Sequence, residues 1–295
     1  MKPPAFKYVA ASSVEEAVSV LAEHEGDAKV IAGGQSLVPM LNFRLLSPAV
    51  LVDLNRIAGL DGVEENEGGL RIGALTRHRV LETSPLVEAR FPVLNAAMQY
   101  VAHLAIRNRG TIGGSLSHAD PAAELPTMAL LLDAEIEVQG SGERRSIPAA
   151  AFFDGALMTV LEEDEIVTEI RLPAPPADEG WAFQEFARRS GDFGIAGVGV
   201  TLGRSGKIVS SVRIALLGVG QTPLRAAAAE AVLVGETPDA DVIGAAVEAA
   251  RDAAEPEDDL HGSADYRRHL VGVLARRTIE TAWRRASGEA AEETK

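Results

Sequence analysis

The chain has 295 residues, 46% of them hydrophobic and 24% charged, with a formal net charge of −15, six histidines and no cysteine. This length predicts more than one domain, and the composition is that of a globular chain rather than a disordered one. The acidic balance argues against nucleic acid or an anionic membrane as partner. The lack of cysteine excludes disulfides, a thiolate zinc site, cysteine-ligated iron–sulfur clusters and a cysteine nucleophile. No apolar run reaches membrane-spanning length and MKPPAFKYVA lacks a signal-peptide core, so the cytoplasm is the expected compartment.

In chain order, residues 12–26 predict a helix, with Ser13 and Glu16 as a capping box and Gly26 past its end. AKVIA (28–32) predicts a buried strand, followed by two glycines, then LVPMLNFRLL, then a second strand in AVLVDL (49–54). Residues 1–55 thus read as a first α/β unit. A second unit, 56–175, contains a strand in GLRIGALT (69–76) and a helix over 92–106 with Pro92 near its start. A turn-rich stretch, RNRGTIGGSLSHADPAAELP, follows, then a helix running into a strand over 126–140, and a strand in EIVTEIRLP (165–173). Prolines 173, 175 and 176 mark a linker. The third unit, 176–286, predicts an antiparallel meander of three glycine-separated strands and then three helices. In the last helix Tyr266, Leu270, Val273, Leu274 and Ala282 recur at helical spacing as a packing stripe. Residues 287–295 read as a disordered tail.

Four stretches are candidates for chemistry. In AGGQS, Gly33 and Gly34 permit unusual backbone angles and let successive amides converge on one anion, with Ser36 adding a hydroxyl and Gln35 an uncharged donor and acceptor. TIGGS, residues 111–115, repeats the theme after Arg107 and Arg109. Each alone is equally a turn; together they suit a ligand with two phosphates and an extended body. No G-x-G-x-x-G and no P-loop is present. In SHADPAAELP, His118, Asp120 and Glu124 fit no metal spacing. The three could serve acid/base chemistry, or Asp120 and Glu124 could accept from ribose hydroxyls, or the stretch is a polar loop with Asp120 and Pro121 starting the next helix. In RRSGDFGIAG, Phe193 sits in a glycine-bounded turn, poised to stack on a flat ring or to tuck into the core. No constellation supports hydrolysis, so no catalytic side chain and no metal ligand is assigned; a redox cofactor that brings its own chemistry fits this pattern.

AGGQSLVPMLNFRL, RNRGTIGGSLSHADPAAELP and RRSGDFGIAGVGV together resemble the FAD-binding medium subunit of molybdenum hydroxylases, the xanthine dehydrogenase and aerobic carbon monoxide dehydrogenase family, over nearly the whole chain. The resemblance implies an α+β chain. Two α/β subdomains would form a vanillyl-alcohol-oxidase-like (PCMH-type) FAD-binding fold, followed by a domain of three-stranded antiparallel sheet and helix bundle. It implies FAD contacts at Ala32, Gly33, Gly34, Gln35, Ser36 and Leu37, and at Thr111, Ile112, Gly113, Gly114 and Ser115. Further contacts would lie in the stretch of His118, Asp120 and Glu124, at an apolar Ile166, and at Phe193 beside the flavin ring.

Gln35 stands where carbon monoxide dehydrogenases commonly carry His, and Ser115 where many members carry Asn, which favours N-heterocycles, ketones or similar compounds over carbon monoxide. No lysine occurs in the strand of Gln184 and Glu185, where xanthine dehydrogenases place one. With no cysteine, the chain would be the flavin relay. A small subunit would hold two [2Fe-2S] clusters and a large subunit the molybdopterin, in a dimer of heterotrimers. A self-sufficient FAD-dependent oxidase, a carbon monoxide dehydrogenase medium subunit and a nucleotide-binding module without redox chemistry are the alternatives.

Overall fold

The computed structural model describes residues 2–288. Its first unit runs β1 (Lys7–Ala10), α1 (Val14–Glu23), β2 (Ala28–Ile31), α2 (Leu37–Asn42) and β3 (Val50–Asp53). The three strands form a parallel sheet in the order β1-β3-β2. Ser13 caps α1 by accepting from the Glu16 amide at 3.1 Å. The reciprocal half of the expected capping box closes one residue upstream, where Glu16 accepts from the Ser12 amide at 2.8 Å and its hydroxyl at 2.6 Å. Ala17, Val18 and Leu21 bury one face of α1 with Val50 and Val52 of the sheet. Parallel strands require crossovers, and the Gly33–Gly34 pair opens one of them at the carboxyl end of β2, the edge at which open α/β sheets bind ligands.

The second unit begins with β4 (Val63–Asn66) and β5 (Gly69–Gly73). A helical excursion follows: α3 (His78–Thr83), α4 (Pro85–Arg90), α5 (Pro92–Ala97), α6 (Leu104–Arg107), α7 (Ile112–His118) and α8 (Glu124–Leu131). It ends with β6 (Glu135–Gln139), β7 (Arg145–Pro148), α9 (Ala149–Phe152), the hairpin β8 (Phe153–Gly155) and β9 (Met158–Thr159), and β10 (Ile166–Leu172). The long strands make an antiparallel sheet, β4-β5-β10-β6-β7. The helix expected over 92–106 is broken. α5 stops at Ala97, Ala102 adopts φ +40°, and Arg107 ties down the freed carbonyls of Val101 and Ala102 at 2.8 and 3.1 Å. Asp120 does not cap α8 either. Ala119 leaves α7 in the left-handed conformation, Asp120 accepts from the Ala122 amide at 2.9 Å in its own turn, and α8 starts only at Glu124.

The third unit comprises β11 (Gly180–Phe186), β12 (Ala196–Ser205), β13 (Ile208–Leu217), β14 (Leu224–Arg225), α10 (Ala227–Leu233), α11 (Ala240–Ala253) and α12 (Ala264–Ala286). The antiparallel sheet has four strands, not three. Leu224 and Arg225 belong to PLRAAAAEAVLVG (223–235), where the sequence predicts the first of the three helices, but they pair with Leu216 and Ala215, and Arg225 is anchored by Asp133 and Glu230. Both faces of this sheet are buried, and the side-chain alternation shows why. Ala196, Val198, Val200 and Leu202 of β12 pack on the helices α10–α12, while Gly199, on the other face, meets Leu131 and Met128 of the second unit. A Cβ on Gly199 would lie 2.8 Å from Leu131, so glycine here lets α8 approach the strand. Phe183, Ala215 and Leu217 complete a core shared with Met128 and Leu131 of α8.

The stripe on α12 is Arg267, Leu270, Val271, Leu274, Ala275, Thr278, Ile279 and Ala282. Tyr266 is 41% exposed and Val273 only half-buried, so these two lie off it. Ser287, expected in the tail, is the C-cap of α12; residues 289–295 of that expectation lie outside the described residues. Among the described residues no helix is long and apolar enough to cross a membrane.

Candidate functional site

The two glycine motifs meet. A Cβ on Gly33 would sit 2.3 Å from the carbonyl oxygen of Arg109 and 2.8 Å from the Gly110 Cα, so only glycine allows the first loop to lie against the segment entering the second. Gly34 has a different reason to be glycine: its φ is +72°. Among the described residues, the amides of Gly33, Gly34, Gln35 and Ser36 donate to no protein acceptor, and the Ser36 hydroxyl makes no capping bond to α2. Gln35 turns back, its Nε2 donating to the Gly33 carbonyl at 2.9 Å. The result is a turn of unengaged donors at a strand end, the arrangement that anions select.

The second motif is built otherwise. Thr111 is the N-cap of α7, its hydroxyl accepting from Gly114 at 3.2 Å, so TIGGS is a helical first turn rather than a nest. The amides of Ile112 and Gly113 are engaged by Thr76 and Ala74 at 3.1 and 2.8 Å, and Ser115 donates to Thr111. Neither glycine has positive φ. Gly113 is required by Ala74, which a Cβ would meet at 2.6 Å, and Gly114 by the Thr111 hydroxyl at 2.7 Å. The expectation that both loops offer several free amides is therefore corrected. The first loop supplies the donors; the second supplies a wall, together with the Thr111 amide, which has no partner among the described residues. Arg77 and Arg109 lie close enough that Arg109, after burial, holds the Arg77 guanidinium below its usual range. This local positive charge counters the acidic whole.

Beyond α7 lies a second, acidic region. Glu124 is 8% exposed and its carboxyl is pushed up to about 7, chiefly by burial. Glu185 on β11, which the motif reading did not single out, is pushed up to about 9 by burial and then by Glu124. Its Oε2 is buried with no hydrogen-bond partner among the described residues, and a Cβ on Gly194 would touch its carboxyl carbon at 2.9 Å. Tyr100, edge-on to Phe183 at 5.2 Å, has its hydroxyl held up by burial and then by Glu185. The signal that could have found Glu185 is its period-two alignment with Phe183 on the core face of β11. Phe193 does not tuck into the core. It is 69% exposed on the rim of a cleft of about 660 Å³ that Asp120, Arg188, Gly218 and Arg267 also line. His118, at the end of α7, is half-buried.

Ile166 is 3% exposed, in the core with Leu60 and Leu75 and against half-buried Val30 and Ala32, so it packs beneath the first loop rather than facing a cleft. In a smaller cleft of about 200 Å³, Arg71 and Arg144 pair with Glu169 within the protein. Among the described residues no three His, Cys, Asp or Glu side chains come together as a metal site.

Residues 4–175 match the family described as the FAD binding domain in molybdopterin dehydrogenase, and residues 181–282 the CO dehydrogenase flavoprotein C-terminal domain. The chain is 45% identical over 288 residues to the 6-hydroxypseudooxynicotine dehydrogenase complex subunit alpha of Paenarthrobacter nicotinovorans, covering 97% of each. It superposes on the carbon monoxide dehydrogenase of Hydrogenophaga pseudoflava with a TM-score of 0.95 at 44% identity, covering 97% of this chain and 99% of that one. With quinoline 2-oxidoreductase from Pseudomonas putida 86 the TM-score is 0.92 at 39% identity, over 98% and 99%. A sheet-end turn of unengaged amides, walled by a second glycine motif and followed by a matching C-terminal domain, makes this chain a member of the family of FAD-binding medium subunits of molybdenum hydroxylases.

Proposed function

We propose that the chain holds FAD, with the pyrophosphate and ribityl part on Ala32–Leu37 and Thr111–Ser115. The ribose and ring end would lie towards His118, Asp120, Glu124 and Phe193, with Ile166 supporting the cradle from below. Units 1–55 and 56–175 form the binding part and 176–286 the C-terminal domain. The observation that carries the reading is the run of unengaged amides from Gly33 to Ser36 held against Arg109 and Gly110. Each hydrogen bond from such an amide to a charged phosphate contributes about 1.5–3 kcal/mol, enough in sum to outweigh a diffuse acidic surface. Bound FAD supplies the redox chemistry by which electrons pass from iron–sulfur clusters of a partner subunit to an acceptor. This chain's own residues bind and orient it, and Phe193 shields one end of the cleft.

The complex is a dimer of heterotrimers with a small iron–sulfur and a large molybdopterin subunit, in the cytoplasm. Its substrate is an N-heterocycle, ketone or other organic compound, in keeping with the relatives that carry nicotine, caffeine and quinoline in their names. A second reading, a carbon monoxide dehydrogenase medium subunit, is favoured by the 41% identity to the medium chain of Hydrogenophaga pseudoflava.

The isolated chain should take up one FAD non-covalently, and Gly33→Val should lower the affinity at least tenfold, because the new side chain meets the Arg109 carbonyl. A chain that cannot be reconstituted with FAD, or a valine variant with unchanged occupancy, sinks the assignment. The co-purified complex separates the two substrate readings: N-heterocycles should bleach its flavin absorbance and carbon monoxide should not. Turnover of a small alcohol or amine by the isolated chain would indicate a self-sufficient oxidase instead.

A further inference from the structure

The two motifs are joined by side chains outside both of them. Asn55, just past β3, donates from Nδ2 to the Ala32 carbonyl at 2.8 Å and to Asp53 Oδ1 at 2.6 Å, while its own amide donates to the same Asp53 oxygen at 2.8 Å. Arg77, just before α3, donates from Nη2 to Asn55 Oδ1 and from Nη1 to the Arg109 carbonyl, both at 2.5 Å. The chain Asp53–Asn55–Arg77 thus grips one carbonyl on each side of the junction: Ala32, which precedes Gly33, and Arg109, which Gly33 touches. Both ends of the Asn55 amide are used in their proper sense, the NH₂ towards oxygens and the oxygen towards a guanidinium.

The peptide plane gives this clasp a consequence. In a trans peptide the carbonyl of one residue and the amide of the next point in opposite directions. Holding the Ala32 carbonyl against Asn55 therefore aims the Gly33 amide away from Asn55. In the same way Gln35, by holding the Gly33 carbonyl, aims the Gly34 amide. These are two of the amides that have no protein acceptor among the described residues. Arg77 fixes the far wall relative to the turn, and the neighbouring strand-like pairing of His78 with Gly110 at 2.9 Å keeps its backbone in place.

We propose that Asn55 and Arg77 are positioning residues that preorganise the first-loop amides for a pyrophosphate. The proposal rests on the reading that this turn holds the phosphates of FAD. Neither side chain need touch the cofactor. Their part is to remove the freedom of the loop before binding, so that the ordering cost is not met when the ligand arrives.

The test uses the full chain stripped of FAD and titrated back with FAD. Asn55→Asp replaces a donor to the Ala32 carbonyl with an acceptor-only carboxylate, and Arg77→Met removes both guanidinium bonds. Each is expected to weaken FAD binding at least tenfold while the thermal midpoint of the apoprotein stays close to that of the parent. Arg77→Lys, which can reach one of the two oxygens, should recover part of the loss. Unchanged affinity in both Asn55→Asp and Arg77→Met would overturn the clasp. So would a lysine variant no better than methionine, or affinity lost only in step with a falling apoprotein midpoint. If the parent binds FAD and Gly33→Val does not, those results count against the clasp alone. If the parent cannot be reconstituted at all, the FAD reading fails and the clasp with it.

Discussion

Glu124 and Glu185 show how far a side chain's meaning depends on what faces it. Sixty-one positions separate them, so nothing local in the chain pairs them; only the packing of α8 on the sheet that carries β11 puts the charge of one within reach of the other. Burial raises both, and the charge of Glu124 raises Glu185 further. The sign for stability follows. A carboxyl whose folded pKa lies above its unfolded value of about 4.3 keeps its proton in the native state while the unfolded chain has lost it. Its effect is neutral below that unfolded value, and stability falls as pH rises through the window up to about 9 for Glu185. Glu185→Gln removes this titration without removing the shape. The variant should unfold at a higher temperature than the parent at pH 8, by roughly 2–4 °C for each kcal/mol relieved, with the difference shrinking towards pH 5. A gain of the same size at pH 5 and pH 8 would mean that no raised carboxyl pKa lies behind it, and a loss at pH 8 would mean that the carboxyl is ionised and satisfied there. The glycine motifs, by contrast, were visible as residues, but not as mechanisms. The two glycines of the first loop are there for different reasons, close approach at Gly33 and positive φ at Gly34. A string of letters gives both the same appearance.

At the scale of elements, the parts with strong periodicity were legible. α1, with its Ser13 cap, lies inside its expected stretch, and β12, with Val and Gly alternating, is one of the expected glycine-separated strands, because each obeys one period from end to end. The break between α5 and α6 and the short strand β14 were not legible, since both depend on partners elsewhere: Arg107 for the freed carbonyls, and Asp133 for Arg225. One close approach in the third unit rests on a glycine. A Cβ on Gly180 would lie 1.9 Å from the Ala282 carbonyl and 2.5 Å from the Ala286 amide, both backbone atoms of α12. Backbone cannot rotate away as a side-chain end can, so Gly180→Ala must push the end of α12 off β11. Overpacking of this kind costs about 1–3 kcal/mol, which corresponds to a fall in Tm of roughly 2–12 °C. FAD affinity should stay at the parent value, because the collision is in the C-terminal domain and the cradle amides are in the first unit. A variant as stable as the parent would show that α12 is not seated on β11 as described.

For the molecule as a whole, the linker at Pro173–Pro176 suggests separable parts, and the packing denies it. Leu70, Leu116, Met128 and Leu131 of the second unit share one core with Phe183, Ala215 and Leu217 of the third. Ile166 of the second unit and Leu60 and Leu75 likewise complete the core of the first. Both boundaries run through buried apolar surface, so neither neighbour can leave without exposing it to water. The full chain should therefore melt in one calorimetric transition. On the proposed reading FAD binds only the assembled cradle, so a free concentration a hundred times its Kd should add about 2.7 kcal/mol. At about 2–4 °C per kcal/mol, that moves the single midpoint up by roughly 5–11 °C. Two resolved transitions, of which FAD shifts only the lower or only the upper, would show instead that the shared core is too weak to couple the units, and that the C-terminal domain unfolds on its own.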